Sequence, residues 1–260
     1  MVKHKAKTKL VGYGYGTILF VVVLINLFIS PNIQALGDSH LIIPGAHRGS
    51  SVSHVENTLD ALREAAADSR YQFIEIDVQF TKDRQIVVYH DTNLQRFQKL
   101  GIEIKNLTYA ELLALSRYQV PLYEEALQIA GNKKINVEIK SQGDILRDWE
   151  LVDAIIADAK KREMLPQILL SSISQDVVDY IQEAYPDLKV GKIYLLIEAT
   201  FFPVDFFTEK FYEEATADYI MLHGVNGRNV ESLTRLKPVG KTLVFWYFDD
   251  RIAIVDGQLW

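Results

Sequence analysis

Cysteine is absent from the 260 residues, so disulfides and thiolate chemistry are excluded. A basic excess is also missing. The chain carries 28 Lys and Arg against 34 Asp and Glu, a formal balance of −6. Four of those lysines, Lys3, Lys5, Lys7 and Lys9, stand at the extreme front; without them 24 basic side chains face 34 acidic ones, a balance of −10. A body this acidic lacks the electrostatic footprint that nucleic acid demands, so no nucleic-acid partner is expected. No glycine-rich phosphate loop follows the first predicted strand, which weighs against a doubly wound nucleotide-binding sheet. Disorder has no compositional support: 48% of residues are hydrophobic and 24% charged, which suits one globular domain plus one extra segment.

The extra segment is at the front, where the lysines precede an uncharged stretch from Leu10 to Gly37 whose most apolar part runs from Ile18 to Ile29. A basic flank followed by an apolar span predicts entry into a membrane with the N-terminus inside and the body outside. Taken as one helix, Leu10 to Ser30 just spans a bilayer, with Gly12, Gly14 and Gly16 weakening its first turns. Taken as a short core, it is a secretory signal with a small-residue cleavage site at Ile33–Gln34–Ala35. The anchor is the preferred reading: residues 1–37 hold a single-pass protein in the cell membrane, and residues 38–260 form the domain outside the cytoplasm. Secretion after cleavage is the alternative.

The body is organised around Phe73 to Asp91, FIEIDVQFTKDRQIVVYHD. Side chains in a strand repeat every two residues, so Ile74, Ile76 and Val78 share one face and Glu75, Asp77 and Gln79 the other. After a polar turn at Lys82–Asp83–Arg84, an apolar run from Ile86 to Tyr89 predicts a second strand ending in His90–Asp91. Upstream, Leu41–Ile43 leads into Gly45–Ala46–His47–Arg48–Gly49, and Asn57 is a plausible N-cap for a helix carrying Leu59, Leu62, Ala65 and Ala66. Downstream, Ile102–Lys105 reads as a short strand with Glu103 and Lys105 exposed, before a capping box at Thr108–Glu111. Ile135–Lys140 then places Asn136, Glu138 and Lys140 on one face. Strands and helices alternate to the end, with strands at 168–172, 189–196, 219–222 and 242–248. Such alternation predicts a parallel sheet, and polar strand ends predict an α/β fold closed as a TIM-type (β/α)8 barrel; an open doubly wound sheet is the runner-up.

In a barrel, His47, Arg48, Glu75, Asp77, His90, Glu138 and Lys140 meet at the C-terminal mouth. Three carboxylates suit one hard divalent ion, Ca²⁺ or Mg²⁺. Arg48 and Lys140 suit an anionic oxygen, and two histidines suit general base and general acid. That set fits metal-assisted cleavage of a phosphodiester. HRG, ENT, EIDVQFTKD, VVYHD and VEIK, in this order, resemble the glycerophosphodiester phosphodiesterases, strongly from Ile42 to Ser141 and weakly beyond. The resemblance implies a barrel of the phospholipase-C-like phosphodiesterase kind with an insertion after the third strand. It implies Glu75, Asp77 and Glu138 as metal ligands, His47 and His90 as the acid–base pair, and Arg48 and Lys140 at the phosphate. It also gives Glu56 a supporting role at the first histidine's loop and sets Trp246 near the substrate. The implied reaction converts a glycerophosphodiester to glycerol 3-phosphate and an alcohol.

Asp91 is expected either to orient His90 or to cap a turn. His54 reads as a surface residue, His223 as a candidate for the mouth, and the cluster Phe201, Phe202, Phe206, Phe207 and Phe211 as helix-layer packing. The family's usual Asp-Gly turn is Asp83–Arg84 here, which implies a non-glycine residue at positive φ. The family's closing helix and GxDGIxTD-like segment have no counterpart after Val255–Asp256–Gly257, which predicts an exposed edge strand. Two other functions fit: a barrel phospholipase D acting on intact lipid, and a membrane-anchored binding protein without turnover.

Overall fold

The computed structural model describes residues 39–260; the basic tail and apolar run, and with them the predicted anchor or signal, lie outside the described residues. Among the described residues no helix is long and apolar enough to cross a membrane. Chain order is β1 (Ile42–His47), α1 (Leu59–Ala67), β2 (Phe73–Phe80), β3 (Ile86–Val88), α2 (Gln95–Gln98), α3 (Tyr109–Leu115), α4 (Tyr123–Ala130) and β4 (Lys134–Ile139). It continues with α5 (Ile145–Lys161), β5 (Ile168–Ser172), α6 (Gln175–Ala184), β6 (Val190–Tyr194), α7 (Glu198–Phe201), α8 (Asp205–Glu214), β7 (Tyr219–His223), α9 (Val230–Arg235), β8 (Thr242–Trp246) and β9 (Arg251–Val255).

The sheet closes on itself. Parallel pairing runs β1–β2–β4–β5–β6–β7–β8, and β9 lies antiparallel between β8 and β1. This is the expected TIM-type barrel with one stave reversed. A hairpin at residues 247–250 returns the chain alongside β8, so the predicted exposed edge strand does not occur: every stave has two neighbours, which removes the unpaired backbone that an open edge would present.

β3 is not a stave. It pairs antiparallel with the end of β2, Val78 opposite Val88 and Phe80 opposite Ile86, and so carries His90 back down toward Asp77. The predicted turn at Arg84 has φ 64, left-handed without glycine. The predicted short strand at Ile102–Lys105 is instead a single 3₁₀ turn over Ile104–Asn106; Ile104 is buried there, while Glu103 is exposed and Lys105 half-buried. The Thr108–Glu111 capping box forms as read, Thr108 Oγ1 accepting from Glu111 N at 3.3 Å and Glu111 Oε2 accepting from Thr108 N at 2.8 Å.

Two cores follow from strand alternation. Between sheet and helices, Ile74, Ile76, Val78, Ile135, Val137 and Ile139 pack against Leu62, Leu127, Val152 and Ile155. Inside the barrel, Phe73, Leu169, Tyr219, Met221, Val244, Ile252 and Ile254 pack together, with Trp260 edge-on to Phe73 and Tyr219 at 5.6 and 5.9 Å between centroids. Burying such side chains contributes roughly 1.5–3 kcal/mol each. The interior is thus apolar below and polar toward the strands' C-terminal ends, which leaves the mouth for chemistry. The phenylalanine cluster splits: Phe207 and Phe211 pack beneath the helices, whereas Phe202 and Phe206 are exposed. Helix-layer packing therefore accounts for only part of it.

Candidate active site

Parallel register sets the height of every acidic group. His47 lies opposite Glu75, Glu75 opposite Asn136, and Asp77 opposite Glu138. Glu75, Asp77 and Glu138 are buried, and ligand oxygens from all three lie within 4.8 Å of one another. The two-residue alternation read from the sequence therefore puts these carboxylates on the inner face.

The turn after β1 supplies one cation, Arg48, and the end of β4 the other, Lys140. Arg48 adopts φ 61, Gly49 φ 77, and a Cβ on Gly49 would stand 2.7 Å from the Ala61 backbone carbon, so the third residue of the turn must be glycine. This turn aims the Arg48 amide at Glu75 Oε2, 2.9 Å away. Its guanidinium reaches Glu56 at 3.2 Å through Nη1 and Asp77 at 3.4 Å through Nε. Lys140 Nζ lies 2.6 Å from Glu138 Oε1 and 3.4 Å from Asp77 Oδ1. Asn57 is not the helix N-cap; Thr58 is, through its Oγ1. Asn57 turns inward at φ 57, donates to Asp77 Oδ2 at 2.7 Å and accepts from Asp77 N at 3.2 Å.

Each histidine is fixed through Nδ1. His47 Nδ1 lies 2.8 Å from the Asp249 carbonyl oxygen, which only accepts, so Nδ1 carries the hydrogen and Nε2 keeps its lone pair. That Nε2 stands 3.8 Å from Glu75 Oε2. Burial, with Arg48 beside it, pushes His47 down to about 4, so the ring is neutral at pH 7. His90 Nδ1 meets Asp91 Oδ1 at 2.6 Å, the contact that the orienting role read for Asp91 requires. Trp246 stands beside His47 at 5.9 Å and completes an apolar wall with Ile173, Ile193, Met221 and Ile252, opposite the charged half of the cleft. His223 is buried beneath Trp246 and Phe248, where its Nδ1 accepts from Val225 N; it supports the wall and does not line the cleft. His54 pairs with Glu64 at 2.7 Å near the surface, as read.

Three buried carboxylates face two cations here, and the imbalance shows in their titration. Burial, with Asp77 and Glu138 alongside, pushes Glu75 well above the usual carboxylate range. Burial also raises Glu138, against the opposing pull of Lys140. At Asp77 burial is overcome by Lys140, His90, Arg48 and the Asn57 amide, which hold it below the usual range. Glu75 Oε1 and Asp77 Oδ1 are buried without a hydrogen-bond donor. Carboxylate oxygens without a hydrogen-bond donor in an all-oxygen donor set fit a hard divalent cation, and burying such charge otherwise costs several kcal/mol per ion.

Residues 47–251 match the model of the glycerophosphoryl diester phosphodiesterase family. The chain belongs to that family. It is similar to Bacillus subtilis YqiK, 33% identical over 144 residues, covering 50% of this chain and 58% of the relative. A glycerophosphodiester phosphodiesterase of Caldanaerobacter subterraneus is 30% identical over 164 residues, covering 57% of this chain and 65% of the relative. The chain thus spans about three fifths of the length of these two relatives. The crystal structure of a glycerophosphodiester phosphodiesterase from Thermotoga maritima superposes with a TM-score of 0.60 at 27% identity, covering 79% of this chain and 85% of that one.

For this member of the family the sequence reading missed three groups. Asn57 gave a misleading signal, because asparagine before an apolar helical pattern is a normal N-cap. The Asp249 carbonyl has no side-chain signature at all. Arg96, whose guanidinium meets both Glu56 and Asp91, lies in the irregular segment after β3, where no periodicity points it anywhere.

Proposed function

We propose that the barrel hydrolyses glycerophosphodiesters to glycerol 3-phosphate and an alcohol, with one divalent ion, Ca²⁺ or Mg²⁺, held by Glu75, Asp77 and Glu138. The observation that carries this reading is the trio of buried carboxylates with ligand oxygens within 4.8 Å. It is flanked by two histidines whose Nδ1 atoms are tied off at 2.8 and 2.6 Å. Family membership and the naming of a relative as a glycerophosphodiester phosphodiesterase support it. When bound, the ion supplies charge neutralisation at the phosphate oxygens.

The remaining chemistry belongs to side chains. Arg48 and Lys140 lie beside the carboxylates on the charged half of the cleft, where they attract and orient the diester anion. His47, neutral with an unprotonated Nε2, suits the base that takes the proton from the attacking hydroxyl. His90, with the Asp91 carboxylate behind it to balance an imidazolium, suits the acid that protonates the departing alkoxide. One phosphorus–oxygen bond forms to the nucleophile, water or the substrate's neighbouring hydroxyl, and the one to the alcohol breaks; a cyclic ester formed by that hydroxyl is then opened by water to give glycerol 3-phosphate. The test is release of glycerol 3-phosphate from glycerophosphocholine by the full chain. Release that requires a divalent ion and disappears in His47→Ala and His90→Ala supports the reading; full activity in either variant refutes the role given to that histidine.

The same reading keeps the barrel outside the cytoplasm, joined to a cell membrane through residues 1–37. The lysine cluster and the apolar run that follows it are what support this. Membrane association that resists alkaline carbonate is the expected result, and quantitative release by carbonate contradicts it.

A further inference from the structure

Arg96 sits on α2 and reaches two carboxylates that belong to different parts of the site. Its Nε donates to Asp91 Oδ2 at 2.7 Å and its Nη2 to Asp91 Oδ1 at 3.2 Å. Its Nη1 donates to Glu56 Oε2 at 2.8 Å, and Nη2 donates to Glu56 Oε1 as well. Beyond Asp91 lies His90, and beyond Glu56 lies Arg48, whose Nη1 donates to both Glu56 oxygens at 3.2 Å. An unbroken chain of contacts, Arg48–Glu56–Arg96–Asp91–His90, therefore links the phosphate-binding arginine to a histidine 42 positions away in sequence.

The arginine is itself held. Its guanidinium carbon lies 4.4 Å from the centroid of the Phe97 ring, and Phe97 packs edge-on to Tyr118 and Tyr89 at 5.7 and 6.5 Å. Lys99 Nζ donates to the Arg96 carbonyl at 3.1 Å. A planar fork is needed here, since two carboxylates are gripped at once by the same guanidinium; an ammonium would offer one point charge.

We propose that Arg96 is a positioning residue of the reaction, fixing His90 through Asp91 and Arg48 through Glu56. The proposal rests on the phosphodiesterase reading of the site. A plain surface ion pair makes a different forecast. Arg96 is partly exposed, with 42% of its side-chain surface open to solvent, and exposed pairs contribute only about 0–1 kcal/mol to stability. Without Arg96, Glu56 still has Arg48 and Asp91 still has His90, so the fold persists while the aim of both groups loosens.

The experiment compares Arg96→Ala and Arg96→Lys in the full chain. Arg96→Ala should lower kcat on glycerophosphocholine about tenfold or more. Its Tm should shift by no more than about 2–4 °C, since a few tenths to one kcal/mol moves a domain of this size by that amount. Arg96→Lys should recover only part of the loss. In an Asp91→Asn background the same Arg96→Ala change should cost clearly less, because one of its two routes is already cut. Unchanged kcat, or a loss that is additive with Asp91→Asn, overturns the proposal. Nitrogen NMR of His90 at alkaline pH, where an imidazole is neutral, gives a readout free of turnover: the wild type should hold the hydrogen on Nδ1, and Arg96→Ala should populate both tautomers. A single unchanged tautomer overturns the proposal even if wild-type glycerophosphocholine hydrolysis is absent, a result that would count against the phosphodiesterase reading alone.

Discussion

Replacing Asn57 by alanine should destabilise the protein far more than the loss of a helix cap in a loop would suggest. Asn57 is 2% exposed, donates to Asp77 Oδ2 at 2.7 Å and accepts from Asp77 N at 3.2 Å. Hydrogen bonds to charged groups contribute about 1.5–3 kcal/mol, and the amide of Asp77 would be left buried without this partner. The backbone adds a second cost. Asn57 has φ 57, a left-handed conformation that asparagine tolerates and alanine resists by about 1–2 kcal/mol. Together these give about 3–5 kcal/mol. Asn57→Gly removes the side-chain bonds but relieves the backbone, so it should be less damaging than alanine by about 1 kcal/mol. Denaturant unfolding of wild type, Asn57→Ala and Asn57→Gly at pH 7 measures all three values. An alanine variant within about 0.5 kcal/mol of wild type, the range of ordinary surface changes, would refute the claim that this side chain braces the acidic centre.

Glu138→Gln should remove one of the three buried carboxylates, relieving repulsion on Glu75 while leaving the fold intact; divalent-ion affinity measured by calorimetry should fall on the order of 100-fold, as for loss of groups that define a metal site. Affinity within threefold of wild type would remove Glu138 from the ligand set. Two opposed contributions should shape stability between pH 6.5 and pH 4: the buried histidines lower it as pH falls, whereas Glu75 and Glu138, raised in the folded state, favour the folded form as they take up protons. His47 and His223 take up protons near 6.5 when unfolded but are both pushed down to about 4 when folded, chiefly by burial, so at these two sites the unfolded state binds more protons throughout that window. The limit is about 3 kcal/mol for each, and a His47→Asn variant should lose part of that slope in denaturant titrations at pH 7 and pH 4.5. An identical slope would mean that His47 is not held neutral.

Much of this site is legible because a strand's period is two. Glu75 and Asp77 must share a face, and Glu138 and Lys140 repeat the pattern on the next stave, so parallel pairing alone brings them together. What escaped the sequence depends on direction and conformation. β3 looks like a stave, yet its short run folds back on β2, and only that reversal delivers His90 beside the acidic group. Ile102–Lys105 alternates like a strand but lies in an excursion with a single bridging partner, at Asn93, and curls into a 3₁₀ turn. The last stave was unreadable as a barrel member because a reversed strand leaves the same apolar alternation, Ile252 and Ile254 inward, as a parallel one. Arg96 was invisible for a different reason: its importance lies in two carboxylates brought to it from two different loops.

Support of phosphodiester hydrolysis by the acidic trio with a divalent ion is open to one direct test. The direct measurement is glycerol 3-phosphate released from glycerophosphocholine by the full chain, stripped of metal and then supplied with Ca²⁺ or Mg²⁺. Negligible release after chelation, recovery on adding one of the two ions, and no recovery in Glu138→Gln are the expected results. Equal release with and without chelator, or full recovery in Glu138→Gln, would contradict that role of the trio.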